Sequence, residues 1–188
     1  MIKKIDVDVW KIKGDANVYF LNFDKKIIID TGKRSERHNI AMLLKHIIEL
    51  EKIDAVIITH LHYDHTGNID LFPNAKIYAS KETIDEFNNN PSGSVLDEEI
   101  VERLKNVEFN VLPSKFEGLD LINTPGHTSG SVCLWDAKRK ILFSGDTLFD
   151  RRQFGRTDLP TSEEEKLMQS IIKLSKYPYE HLCPGHDY

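Results

Sequence analysis

Residues 60 to 65 read His60-Leu61-His62-Tyr63-Asp64-His65, which places three imidazoles and a carboxylate within six residues. That set suits Zn²⁺, Fe or another borderline divalent ion, since such ions accept imidazole nitrogen and carboxylate oxygen together. In an extended segment side chains alternate, so His60, His62 and Asp64 share a direction, while His65 departs from it toward a second centre. Three later segments set a ligand-type side chain directly after a glycine: Pro125-Gly126-His127, Ser144-Gly145-Asp146 and Pro184-Gly185-His186. Glycine allows the sharp turn that projects the next side chain from the end of a strand. Together these segments supply seven candidate ligands: His60, His62, Asp64, His65, His127, Asp146 and His186. Seven donors exceed the needs of one tetrahedral ion. They match two ions about 3.5–4 Å apart that share one carboxylate, as in two-metal hydrolytic sites.

Such a site needs strand ends to carry it, and the hydrophobic pattern supplies them. Ile5 to Ile12 alternates with period two, and Ala16 to Phe23 and Lys26 to Ile29 flank a short turn, which predicts a hairpin. Ile40, Leu43, Leu44, Ile47 and Ile48 form one apolar helix face. Ala55 to Thr59 reads as a buried strand feeding the histidine segment. Ala75 to Ala79 is a further strand, and Ser80 is an N-cap for a helix carrying Ile84 and Phe87. Asn88 to Ser94 has the composition of a loop. A helix around Ile100 to Leu104 precedes strands at Val107 to Leu112 and Leu119 to Asn123. Ser131 to Trp135 pairs with Ile141 to Phe143 across a turn, and Ser162 to Glu165 reads as a capping box for a helix through Leu167, Met168, Ile171 and Ile172. Two strand-rich halves with one-faced helices predict a layered α/β sandwich, one domain over residues 1–188.

Composition narrows the function. Thirty acidic against 25 basic residues give a net charge of −5, with no basic excess to hold a polyanion, so nucleic acid is not an expected partner. The longest apolar runs are too short to span a bilayer, the N-terminal segment lacks a signal-peptide core, and two cysteines make no disulfide framework. A cytoplasmic location without membrane contact is the expectation.

HLHYDH, followed in order by PGHTSGS, SGDTLF and a late PGH, resembles the metallo-β-lactamase superfamily, and within it the glyoxalase II-like hydrolases and the related persulfide dioxygenases. The resemblance runs from Asp30-Thr31-Gly32 to His186. It implies a four-layer αββα sandwich. It also implies that His60, His62 and His127 hold a first metal, that Asp64, His65 and His186 hold a second, and that Asp146 bridges them. Two divalent ions are implied, zinc first and iron as the alternative. The implied reaction is hydrolysis of a small acyl thioester or ester by an activated water that Asp64 helps to orient. The alternative is an iron-dependent dioxygenase acting on a persulfide, with iron on His60, His127 and Asp146.

Further expectations attach to single residues. Phe154-Gly155-Arg156-Thr157-Asp158 is similar to a GRTD stretch in both groups. Arg156 has the planar fork to take a substrate carboxylate, and bonding to Asp158 or to nearby carbonyls is the competing expectation. Asp30 is read as a carboxylate that orients a ligand imidazole or as a strand-end turn residue. His38, His46, His181, Arg151 and Arg152 are expected at the surface, and Cys133 and Cys183 in the core. Glyoxalase II enzymes carry a helical extension that helps bind glutathione. Here two residues follow His186, and the usual PGHG reads PGHD, so the resemblance covers the metal centre and leaves the thiol carrier, glutathione or another, open.

Overall fold

A computed structural model describes residues 1–187, without the side chain of Arg152, so the surface role expected of that side chain lies outside the described residues. Seven strands form the first sheet in sequential order: β1 (Ile2–Asp6), β2 (Val9–Ile12), β3 (Val18–Asn22), β4 (Lys26–Ile29), β5 (Ala55–Ile57), β6 (Lys76–Ala79) and β7 (Phe109–Val111). The first four are antiparallel, as short turns allow, and β4 through β7 are parallel. Helices make the parallel crossovers: α1 (Arg37–Lys45) and α2 (Tyr63–Thr66) flank β5, and α3 (Lys81–Asn89), α4 (Pro91–Val95) and α5 (Glu98–Leu104) join β6 to β7. The second sheet orders β12 (His181–Pro184), β11 (Ile141–Gly145), β10 (Val132–Asp136), β9 (Leu119–Asn123) and β8 (Lys115–Phe116). It is antiparallel except where β12 returns parallel to β11, after α6 (Glu164–Leu174).

Strand parity sorts the apolar residues into three cores. Tyr19, Leu21, Ile27, Ile29, Ala55 and Ile57 point from the first sheet onto Phe116, Leu119, Leu134, Ile141 and Phe143 of the second. Their alternates Phe20, Ile28, Val56 and Ile58 turn outward onto Ile40 and Leu44 of α1, Val95 of α4 and Ile100 of α5. Across the second sheet, Cys133, Trp135 and Leu142 meet Leu174 of α6. A helix layer, two sheets and a second helix layer follow directly from period-two strands that are apolar on both faces. The αββα expectation is met, as are the β3–β4 and β10–β11 hairpins and the buried positions of Cys133 and Cys183.

Local differences have identifiable causes. The alternating run from Ile5 to Ile12 is two strands, because the chain reverses at Val7 and Asp8, with Val7 70% exposed and its N–H donated to Asp6 Oδ1. The loop expected at Asn88 to Ser94 contains α4, started by Pro91 and capped by Asn90 Oδ1, which accepts from Gly93 N. Helix α1 stops at Lys45, and Ile47 and Ile48 pack on the same core from beyond its end. The capping box at Ser162 does not form: helix α6 begins after Glu163, and Ser162 Oγ donates to the His127 carbonyl at 2.7 Å.

Candidate metal centre

Strands β4, β5, β9, β11 and β12 all deliver their C-terminal ends to one edge of the sandwich, and each is followed by a chemically active side chain. Such edges are the usual ligand sites of sheets with parallel strands. Asp30 follows β4 in a left-handed conformation, φ 54°, and is 2% exposed. Its Oδ1 accepts from Thr59 N at 2.8 Å, and its Oδ2 accepts from Thr59 Oγ1 at 2.8 Å and from His65 Nδ1 at 2.9 Å. One buried carboxylate therefore fixes both ends of the histidine segment, so Asp30 orients an imidazole, as one of its two readings expected. Thr31 adds two bonds to the His65 carbonyl.

The histidine segment is not extended throughout. His60 and His62 lie before α2, whereas Asp64 and His65 lie on it. The helical turn carries Asp64 away from His60 and His62 and onto the side of His65. Gly145 holds φ 48° ahead of Asp146, and a β-carbon there would sit 2.7 Å from Thr59 Oγ1. At Gly185 the constraint is space, since a β-carbon would lie 2.0 Å from Asp146 Oδ1.

All seven expected donors converge. His60, His62 and His127 form one group, Asp64, His65 and His186 another, and His60, His65 and Asp146 a third that links them, with donor atoms in each within 4.8 Å of one another. Asp146 lies between the groups, its Oδ2 3.5 Å from His127 Nε2 and 3.3 Å from His186 Nε2, and its Oδ1 3.3 Å from His65 Nε2. His62 Nδ1 and His127 Nε2 are 3.0 Å apart, and His65 Nε2 and His186 Nε2 are 3.4 Å apart. Donors about 2.0–2.1 Å from a tetrahedral ion lie about 3.4 Å from each other, so this spacing fits metal ions. The outward nitrogens are committed: His65 Nδ1 donates to Asp30, His127 Nδ1 to the Arg156 carbonyl at 2.9 Å, and His186 Nδ1 to the Asp15 carbonyl at 2.7 Å. These bonds leave the Nε2 lone pairs facing inward at one another, an arrangement only a cation or a proton relieves. Within the same cluster His60 Nε2 and His62 Nε2 are buried with no hydrogen-bond partner. The donor set and its unmet valences fit divalent metal binding.

The electrostatics agree. Burial, with repulsion from neighbouring imidazoles, lowers the pKa of His60 far below the ordinary range and that of His62 to about 3, so both keep free lone pairs. Burial also opposes charge on His186, but the Asp146 and Asp64 carboxylates overcome it and push its pKa up to about 10. His65 is raised in the same way by Asp146, Asp30 and Asp64 against its burial. Burial works to raise Asp64, yet His65 and His186 hold it at about 2, and Asp146 lies well below the usual carboxylate range. Two ionised carboxylates among buried imidazoles demand positive charge at the point where the lone pairs meet.

The cluster opens into a cavity of about 690 Å³. Its apolar wall comprises Tyr63, Leu96, Phe149, Phe154 and Leu159, of which Phe149, Phe154 and Leu159 belong to the segment around the GRTD-like stretch. Arg156 also lines it, but its guanidinium is engaged by Asp158 through two 2.6 Å bonds, both side chains being exposed. The backbone of Arg156, rather than its side chain, serves the centre. Other supports overlooked in the sequence are Thr59, Asp15 and Glu86, whose carboxylate holds Ser129 Oγ and Gly130 N in the loop after His127. Of these, only Thr59, adjacent to His60, carried a positional signal. His38, His46 and His181 are exposed and stand apart from the cluster.

Comparison with known proteins agrees with this geometry. A probable metallo-hydrolase of Streptococcus pyogenes is 29% identical over 202 residues, covering 99% of this chain and 84% of that protein. A hydroxyacylglutathione hydrolase of an Enterobacter species is 31% identical over 186 residues, covering 96% of this chain and 61% of that enzyme. The crystal structure of TTHA1623 in a di-iron-bound form shares the fold, with a TM-score of 0.72 at 23% identity over 95% of this chain and 91% of that one. The model of the metallo-β-lactamase superfamily matches residues 12–186, the span that runs from β2 to the last of the seven donors. With sandwich, donor order and match in agreement, this chain belongs to the metallo-β-lactamase superfamily.

Proposed function

We propose that the protein is a dinuclear metal-dependent hydrolase of small acyl thioesters or esters, similar to glyoxalase II. One observation carries the reading: Asp146 stands between two complete donor groups, His60, His62 and His127 on one side and Asp64, His65 and His186 on the other. A centre built for a single ion has no use for the second group. A pair of divalent ions, zinc first, would supply a water nucleophile at neutral pH and polarise an acyl carbonyl.

The remaining tasks fall to the chain. Asp30, Asp15 and Arg156 orient the donor imidazoles through their Nδ1 atoms. Asp64, held ionised and partly open to the cavity, accepts a hydrogen bond from the attacking water and aligns it. Tyr63, Leu96, Phe149 and Leu159 bind the apolar parts of the substrate and exclude bulk water. Arg156, once freed from Asp158, is placed to meet a substrate carboxylate at the rim. Water adds to the acyl carbon, the C–S or C–O bond breaks, and a carboxylic acid and a thiol or alcohol leave. No serine or cysteine nucleophile takes part, in keeping with the burial of both cysteines, whose thiols are pushed up to about 11 and about 12.

Metal analysis, thioester hydrolysis and persulfide-dependent oxygen uptake on one preparation test the proposal. Two ions per chain with thioester turnover is the expected result. One iron per chain, oxygen uptake and no thioester turnover would replace it with the dioxygenase reading.

A further inference from the structure

The segment after β12 is gripped from the first sheet. Asn17 N donates to the Gly185 carbonyl at 2.7 Å, while Tyr19 Oη and Asn17 Nδ2 donate to the Pro184 carbonyl at 2.7 and 3.1 Å. The Asp15 carbonyl, two residues before Asn17, accepts from His186 Nδ1. Asp187 adds an ionic tie at the same point. Its Oδ1 accepts from Lys11 Nζ on β2 and from Asn17 Nδ2 at 3.3 Å, and its Oδ2 lies 3.3 Å from Lys13 Nζ. Asn17 therefore bonds through one amide to both Pro184 and Asp187, on either side of His186.

We infer that Asp187, with Lys11 and Asn17, is a latch that positions His186 for the second metal ion. Lys11 leaves only 11% of its side chain exposed, so its ammonium is desolvated beyond that of an ordinary surface ion pair, while its partner Asp187 stays 26% exposed. Removing the carboxylate strands a nearly buried ammonium, which moves toward water and releases strand β2 and the Asp15–Asn17 segment beside it. The Asp15 carbonyl then no longer sets the plane of the His186 ring. The latch touches neither His60, His62 nor His127; His60 is held by Thr59 and His127 by the Arg156 carbonyl. Its loss acts on one ion of the two.

The inference rests on His186 serving the second ion, so the test separates the two claims. Metal-free wild type, His186→Ala, Asp187→Gly, Lys11→Met and the double variant of Lys11 and Asp187 are titrated with Co²⁺, followed by its absorption bands. Wild type should bind two ions and His186→Ala one. Should His186→Ala still bind two, the assignment of His186 fails and the latch with it. Asp187→Gly should hold the first ion within a factor of two of wild type and weaken the second 10–100-fold, the usual cost of losing an outer support. The double variant should be no weaker than the worse single one. Equal weakening of both ions, or wild-type affinity for both in a variant with a native circular dichroism spectrum, would overturn the latch. If Asp187→Gly does not fold, Asp187→Asn, which keeps an acceptor but no charge, must show the same one-ion pattern at smaller amplitude.

Discussion

Replacing Asp30 by Asn tests the scaffold under the candidate metal centre without replacing any of its seven candidate donors. The native carboxylate accepts three bonds, one on Oδ1 and two on Oδ2. An Asn side chain offers one acceptor oxygen, and its NH₂ must face donors on the other side. If the oxygen takes the Oδ2 position, the Thr59 N–H is left unmet; if it takes Oδ1, the Thr59 hydroxyl and His65 Nδ1 lose their acceptor. The cheaper orientation leaves one buried donor unsatisfied, about 1–3 kcal/mol, and turns charge-assisted bonds into neutral ones at about 1 kcal/mol each. Relief from burying a carboxylate offsets part of this, so a net loss of about 2 kcal/mol is expected. Backbone strain does not confuse the comparison, because Asn tolerates the left-handed φ of 54° at this position. Asp30→Ala removes all three acceptors and adds a left-handed alanine, so it must cost more than Asp30→Asn. Urea unfolding of chelator-treated protein measures the stability, and equilibrium dialysis measures the ion held by His65, whose affinity should fall 10–100-fold. An Asp30→Asn protein within about 0.5 kcal/mol of wild type that retains both ions would refute the assignment of Asp30 as the brace.

Gly185→Ala should keep the sandwich but lose metal, because the new β-carbon would sit 2.0 Å from Asp146 Oδ1 and 2.8 Å from His65 Cε1; unchanged affinity for both ions, measured by dialysis, would contradict the close approach. The pKa of His186 rises from an ordinary value near 6.5 to about 10 in the metal-free fold, and His65 shifts the same way. Proton uptake therefore stabilises the metal-free protein fully below about pH 6.5, and that contribution is lost as pH rises toward about 10. Metal must expel those protons, so apparent affinity for the second ion should climb with pH across this window, up to tenfold per unit for each proton displaced. Calorimetry at pH 7 in buffers of different ionisation enthalpy should register release of at least one proton per chain, and none would count against the charge balance described.

How much of this was legible in the sequence depends on which atoms do the work. The candidate donors were legible because metal chemistry needs particular side chains, and His60 through His186 are those side chains in a recurring context. The strands were legible because Phe20, Ile28 and Val56 alternate with Tyr19, Ile27 and Ile57 and so declare two buried faces. Reading failed where a local signal was outbid or silent. Ser162 has the makings of a cap, but its hydroxyl is spent on the His127 carbonyl. Asn90-Pro91 starts a helix within a composition that suggests a loop, and the turn at Val7 and Asp8 contains no glycine or proline. Strand β12 is four residues long and is defined by pairing with β11, forty residues earlier. The supports of the centre are the least visible of all, because two of the three Nδ1 acceptors are backbone carbonyls, of Asp15 and Arg156, which any residue could supply. For the same reason a substitution at Arg156 that alters only its side chain leaves the His127 support standing. Side-chain identity thus reports what the centre binds, and the path of the backbone, which only the fold reveals, decides how firmly it binds.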